Sequence, residues 1–180
     1  MKRPNVVFVF SDQHRLCSTG YGGDPAVRTP VIDRLAREGC NFTLAVSGHP
    51  VCCAYRASLL TGQYPQTHGV ILNDAPLNTA ALCLGEAFAQ AGYDTAYIGK
   101  WHVDGHGRSA RIPPARRRGF HYWKALECSH DYWASPYYSQ EAQTPSQWAG
   151  YDAFAQTQDA IEYLAGREKD RPVLLLLSWG

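Results

Sequence analysis

The chain has 180 residues, 45% of them hydrophobic and 18% charged, with a formal net charge of +1. This is a globular composition, long enough for one ordinary domain with a real core, and it excludes a disordered chain. The near-zero charge argues against a nucleic-acid or anionic-membrane surface as the main function, and no apolar run approaches the roughly 20 residues of a spanning helix.

Met1-Lys2-Arg3-Pro4 carries the charge of a signal peptide's start. The apolar stretch behind it runs only from Val6 to Phe10 and no small-residue cleavage site follows, so a cytoplasmic protein is expected. Asn5 to Phe10, rich in β-branched and aromatic residues, predicts a strand buried on both faces. Thr29 as N-cap and Pro30 at the first helical position open a helix whose apolar face is Val31, Ile32, Leu35 and Ala36, ending at Gly39. Phe42 to Val46 reads as a second strand. Pro50 to Gly62, PVCCAYRASLLTG, reads as a helix closed by glycine.

A further helix is expected after Thr79, carrying Leu82, Leu84, Ala87, Phe88 and Ala91 up to Gly92. Thr95 to Ile98 follows as a strand, with Gly99-Lys100-Trp101-His102 just past it. From Gly105 to Gly150 proline, glycine, arginine and aromatic residues alternate without period, which reads as a long structured loop. Within it Arg116, Arg117 and Arg118 read as a solvated loop, with a patch for an anionic partner as the lesser alternative. Tyr151 to Ala165 reads as a helix and Pro172 to Ser178 as a buried strand.

No internal repeat or dividing linker is visible. The cysteines at 17, 40, 52, 53, 83 and 128 form no CxxC pair, so reduced and mostly buried thiols are expected. Strands alternating with helices predict an α/β fold, a mainly parallel sheet sandwiched by helices. Ligands gather at the carboxyl ends of such strands, where Ser11-Asp12-Gln13-His14 and Lys100-Trp101-His102 both fall.

Asp12, directly after a buried strand, is placed to bind a hard cation, and Gln13 adds an amide oxygen. The plain alternative is that Asp12 caps the next turn. Cys52 and Arg56 lie four apart and share a helix face, whereas Cys53 points elsewhere. A helix start lowers a thiol's pKa and attracts anions, and Arg56 adds a planar cation suited to tetrahedral oxyanions. Against this stands a buried cysteine pair on a helix whose Ala57, Leu59 and Leu60 pack inward.

Cys52-Cys53-Ala54-Tyr55-Arg56, followed by Ala57-Ser58-Leu59-Leu60-Thr61-Gly62, resembles the signature of the sulfatase family, Cys-x-Pro/Ala-x-Arg and then a helix ending Thr-Gly. Asn5 to Gln13 resembles the family's opening strand with its metal-binding acidic end, and Thr29 to Gly39 the helix that follows. Gly99-Lys100-Trp101-His102 is similar to the family's GKWH element, and Pro172 to Trp179 to a later strand. The resemblance implies the alkaline-phosphatase-like fold. It implies that Cys52 is converted to formylglycine by a formylglycine-generating enzyme, and that Asp12, Gln13 and the modified Cys52 bind a divalent metal, usually Ca2+, with Mn2+ or Mg2+ as variants. It further implies that Arg56 holds the hydrated aldehyde, that Lys100 binds a sulfate oxygen, and that His102 hydrogen-bonds the diol and helps deprotonate it. Asn73 is implied as a weaker substrate contact, and His49 and His68 as structural.

The expected substrate is a small-molecule sulfate ester. A phosphonate monoester or phosphodiester hydrolase of the same superfamily is the alternative enzyme, and Lys100 with His102 favours sulfate. Gln13 stands where family members often have a second acid, and Ala54-Tyr55 where many have Pro and Ser. Residues 1–180 correspond to the N-terminal part of the family's catalytic domain, with further metal ligands, a histidine and a lysine in the second half. The isolated chain is therefore expected to have little or no activity, and the alternative outside the enzymes is a non-catalytic truncated remnant that folds partly or only binds.

Overall fold

A computed structural model describes residues 3–78 and 80–180; Met1, Lys2 and the expected helix start at Thr79 lie outside them. The strands are β1 (Val6–Ser11), β2 (Asp94–Lys100), β3 (Tyr122–Leu126), β4 (Pro136–Ser139), β5 (Ser146–Gln147) and β6 (Val173–Trp179). The helices are α1 (Pro30–Glu38), α2 (Cys52–Thr61), α3 (Pro65–His68), α4 (Leu84–Gln90) and α5 (Asp152–Gly166). The strands join in the order β1-β6-β2-β3-β4-β5. β2 runs parallel to both β3 and β6, and β4 pairs antiparallel with β3 and with β5.

Contacts divide the chain, where the sequence showed no linker, into a main unit of residues up to Phe10 plus Gly48–Gly180 and a second unit, Ser11–Ser47. In the main unit the pleat sorts alternate residues to opposite faces. Tyr97, Trp123, Leu174 and Leu176 pack on one side with Cys53, Ala57 and Leu60 of α2. Ala96, Ile98, Leu175 and Leu177 pack on the other with Ala160 of α5 and with Trp148. Helices therefore cover both faces, as the alternation predicts. Tyr97 anchors its side through edge-on contact with Trp101 at 4.9 Å and Phe120 at 5.2 Å, the offset geometry aromatic rings prefer.

Several expectations are corrected. β1 is not buried on both faces: Val7 is 50% and Val9 46% exposed, because β1 ends the strand order and pairs on one side. Phe42 to Val46 forms no strand, and Leu44 and Val46 are each 91% exposed, with no neighbouring strand to bury them. The expected loop 105–150 contains β3, a strand at the centre of the sheet. β2 runs two residues further than expected, so Gly99 and Lys100 belong to the strand. α4 starts only at Leu84, where Cys83 and Glu86 form a capping box, leaving Leu82 exposed outside it.

The Arg116–118 run is neither a solvated loop nor a patch. Arg116 pairs with Asp104, Arg117 stacks on the Trp123 ring at 5.1 Å, and Arg118 reaches Cys83 Sγ and Glu86. Of the cysteines, Cys53, Cys83 and Cys128 are buried as expected, but Cys17 and Cys40 are exposed; all are free thiols. No helix among the described residues is long and apolar enough to cross a membrane.

In the second unit Pro30 is the first residue of α1, as read from the sequence, yet Thr29 does not cap it. Its hydroxyl instead donates to Asp33 Oδ1 at 2.7 Å and accepts the Gly20 N–H at 2.8 Å. Asp33 also accepts the Tyr21 N–H, which ties the preceding loop to α1.

Gly99 sets the end of β2. Its φ is +104°, and a Cβ there would lie 1.9 Å from the Ser178 carbonyl oxygen of β6. Gly99→Ala is expected to lower unfolding free energy by at least about 1–3 kcal/mol from backbone strain alone, read from urea denaturation. An unchanged midpoint would contradict the tight β2–β6 approach.

Candidate functional site

The site is assembled where α2 begins against the carboxyl ends of β2 and β6. Val51, at the N-cap of α2, has no side chain that can accept a backbone N–H. Asn73 supplies that function from a distant loop: its Oδ1 accepts the Cys53 N–H at 3.2 Å. The helix closes at Gly62, whose left-handed φ of +66° suits glycine.

Cys52 is the first residue of α2 and partly exposed, and Lys100 Nζ lies 3.9 Å from its Sγ. An ammonium group and a helix N-terminus thus act on the same atom, both favouring negative charge there. Cys53, its neighbour, is fully buried. Burial, the largest influence, pushes its thiol up to about 11, and its Sγ accepts the Asp74 N–H at 3.2 Å. Cys53 is therefore a packing group that pins the Asn73-Asp74 turn.

Arg56 lies one turn along, buried, with its guanidinium over the Phe10 ring at 5.2 Å. Its Nη1 donates to the Lys100 carbonyl at 2.5 Å and to Ser178 Oγ at 2.7 Å, with Tyr97 Oη at 3.3 Å. Both hydroxyls pass a hydrogen bond on to the same Lys100 carbonyl. The backbone from which the Lys100 ammonium projects is thus held by three donors.

His102 is buried with φ +56°. Its Nε2 lies 3.1 Å from Asp74 Oδ1, and Asp74 is gripped by Arg108, Nε to Oδ1 at 3.0 Å and Nη2 to Oδ2 at 3.0 Å. The Arg108 guanidinium, and next His102, hold the Asp74 carboxyl down at about 2. Burial lowers the His102 pKa, with the Lys100 and Arg56 charges adding to the effect against Asp74, so the ring is neutral at neutral pH. The following turn is fixed by Glu127, which accepts the N–H groups of Asp104 and Gly105 at 2.7 and 2.8 Å.

Cys52, Arg56, Lys100, His102 and Asn73 therefore lie in one connected network of the main unit. Asn73, expected at substrate, has its oxygen engaged by the helix. His68 is engaged within the fold, with Ser58 Oγ at 2.9 Å and the Val70 N–H at 3.1 Å. Asp12 and Gln13 follow β1 in the second unit, Gln13 at a turn with φ +52°. Their oxygens are of the hard type that suits Ca2+ or Mg2+. Among the described residues, no group of three or more His, Cys, Asp or Glu is gathered as for a metal ion. Sequence reasoning missed Asp74, Arg108, Tyr97 and Ser178, which sit outside the motif and carry no local signal.

The profile of the family described as Sulfatase matches residues 4–179. The chain is 52% identical over 177 residues to the "Ulvan-active sulfatase" of Formosa agariphila, covering 98% of this chain and 35% of that protein. It is 32% identical to the "Endo-4-O-sulfatase" of Bacteroides thetaiotaomicron, covering 82% and 36% respectively. Among solved structures, the yidJ protein of Bacteroides fragilis superimposes with a TM-score of 0.91 at 31% identity, over 98% of this chain and 43% of that one. BT4656, solved with its substrate D-glucosamine-2-N,6-O-disulfate, gives 0.85 at 29% identity, over 99% and 34%. The chain thus spans about a third of the length of the curated relatives it matches.

Thiol chemistry tests the placement of the cysteines. Iodoacetamide at mildly alkaline pH is expected to label Cys17 and Cys40 in the native protein and to reach Cys53 and Cys83 only after denaturation, as read by peptide mass spectrometry. Equal native labelling at Cys53 would contradict its burial and raised pKa.

Proposed function

The chain belongs to the sulfatase family, and from that premise we propose that it carries the nucleophile-bearing part of a sulfate ester hydrolase in which Cys52 is converted to formylglycine. The observation that carries this reading is the Lys100 ammonium 3.9 Å from Cys52 Sγ at the first turn of α2. A small polar group at that position, partly exposed to solvent, fits the surroundings. Formylglycine there supplies, as its hydrate, an oxygen nucleophile toward the ester sulfur.

The chain's own residues act around it. Lys100 binds an oxygen of the tetrahedral anion and offsets charge developing on it, the electrostatic contribution that usually dominates such reactions. Arg56 works chiefly through position, since its Nη1 is committed to the Lys100 carbonyl and Ser178. His102, neutral and buried, accepts a proton from a hydroxyl on residue 52, which expels sulfate and regenerates the aldehyde. Asp12 and Gln13 are the ligands this chain offers to a divalent cation, with Ca2+ the expected ion. A formylglycine-generating enzyme is the partner required for maturation.

The substrate class we infer is a sulfated saccharide. The support is the kinship to an ulvan-active sulfatase and an endo-4-O-sulfatase, and a solved neighbour holding a sulfated glucosamine.

Coexpression with the converting enzyme tests the reading. The peptide spanning Cys52 is expected to show sulfur replaced by a carbonyl oxygen at 52, with Cys53 left as thiol and no conversion in Cys52→Ala. Unmodified thiols at both positions would contradict the proposal.

A further inference from the structure

His102 presents an asymmetry that the family signature does not address. Its Nε2 faces the Asp74 carboxylate at 3.1 Å, while its buried Nδ1 has no hydrogen-bond partner among the described residues. An ionised carboxylate can only accept. The hydrogen bond therefore requires the proton of the neutral ring on Nε2, which leaves a lone pair on Nδ1, at the other side of the ring.

Asp74 is itself over-determined. Arg108 grips both its oxygens and fixes the carboxylate plane, with contacts at 3.0, 3.0 and 3.3 Å. Its backbone N–H is tied to Cys53 Sγ, and the neighbouring Asn73 is tied to the Cys53 N–H. Asp74 and His102 both occupy the left-handed backbone region, with φ of +63° and +56°. Non-glycine residues persist there only when their surroundings hold them, and such residues cluster at functional sites. Two of them meet here in one hydrogen bond.

We propose that Asp74, clamped by Arg108, is the positioning residue that locks His102 as its Nε2–H tautomer and so makes Nδ1 the proton acceptor of the site. This rests on the sulfatase reading for what the acceptor is used for, but the tautomer itself does not. In the reaction the O–H bond of a hydroxyl on residue 52 breaks and its proton moves to Nδ1. The freed electron pair forms the carbonyl as the carbon–oxygen bond to sulfate breaks. The resulting imidazolium is stabilised by the Asp74 carboxylate and then returns the proton to solvent. Asp74 acts through His102, to which its Oδ1 is hydrogen-bonded.

The substitution Asp74→Asn makes a specific prediction, because Arg108 can only donate. Arg108 would claim the amide oxygen and turn the NH2 group toward His102. Nε2 would then have to accept, and the proton would move to Nδ1, the wrong edge of the ring for catalysis.

The test is 15N NMR of the histidine-labelled protein, with the His102 signals assigned by their loss in His102→Gln. In the unsubstituted protein the expected pattern is a pyrrole-like Nε2 and a pyridine-like Nδ1; the reverse pattern would overturn the proposal without any variant having to fold. In Asp74→Asn the pattern is expected to invert, and in Asp74→Glu to be retained. An Asp74→Asn protein that keeps its fold and its Nε2–H tautomer would also overturn it. On the active sulfatase, Asp74→Asn should reduce kcat by about 100-fold or more with little change in KM. An inverted tautomer with kcat unchanged would overturn the catalytic use of Nδ1. If Cys52 were never converted, the NMR result would stand, so failure of the functional reading and failure of this one are distinguishable.

Discussion

The Arg56 guanidinium donates from one nitrogen to the carbonyl at the end of β2 and to Ser178 near the end of β6, and its face lies over Phe10 of β1. One cation on the second turn of α2 thereby fixes the helix against three strands. Hydrogen bonds to a charged donor inside the protein are worth about 1.5–3 kcal/mol each, more than neutral ones. The converging Tyr97 and Ser178 hydroxyls relay to the same carbonyl, so the Lys100 backbone has little freedom. The position of the Lys100 ammonium beside Cys52 follows from that arrangement, as does the register of α2 that turns Cys52 outward and Cys53 into the core.

A second line of contacts runs from the same helix. Cys53 is joined to Asn73 through its N–H and to Asp74 through its sulfur, and Asp74 is joined to His102. The two adjacent cysteines therefore divide the labour. Cys52 faces the Lys100 ammonium, and Cys53 connects the helix N-terminus to the loop that orients the histidine. A core position that looks permissive in sequence is, in the fold, one end of a hydrogen-bonded chain.

Much of this was legible in the sequence because it is local. The Val173 to Leu177 run, the proline at the start of α1 and the Gly62 stop each carry their cause within a few residues. The Cys-x-Ala-x-Arg pattern likewise places Cys52 and Arg56 without knowledge of the rest. What escaped was set by distant partners. β3 is five residues inside a segment dense in glycine, proline and arginine, and it becomes a strand because β2 pairs with it. The Arg116–118 run reads as solvated, yet an aromatic face, a cysteine sulfur and two carboxylates receive its guanidiniums. The bond from the Cys53 N–H to Asn73 Oδ1 joins residues 20 apart, and the Asp74–Arg108 clamp spans 34 residues with no local pattern at all.

Arg56 builds the site rather than only serving chemistry within it. The most direct measurement is the unfolding free energy of Arg56→Lys by urea denaturation. Lysine keeps the charge but loses the planar fork that meets the carbonyl and hydroxyl together. A loss on the order of 2–4 kcal/mol is expected. A variant as stable as the unsubstituted protein would contradict it.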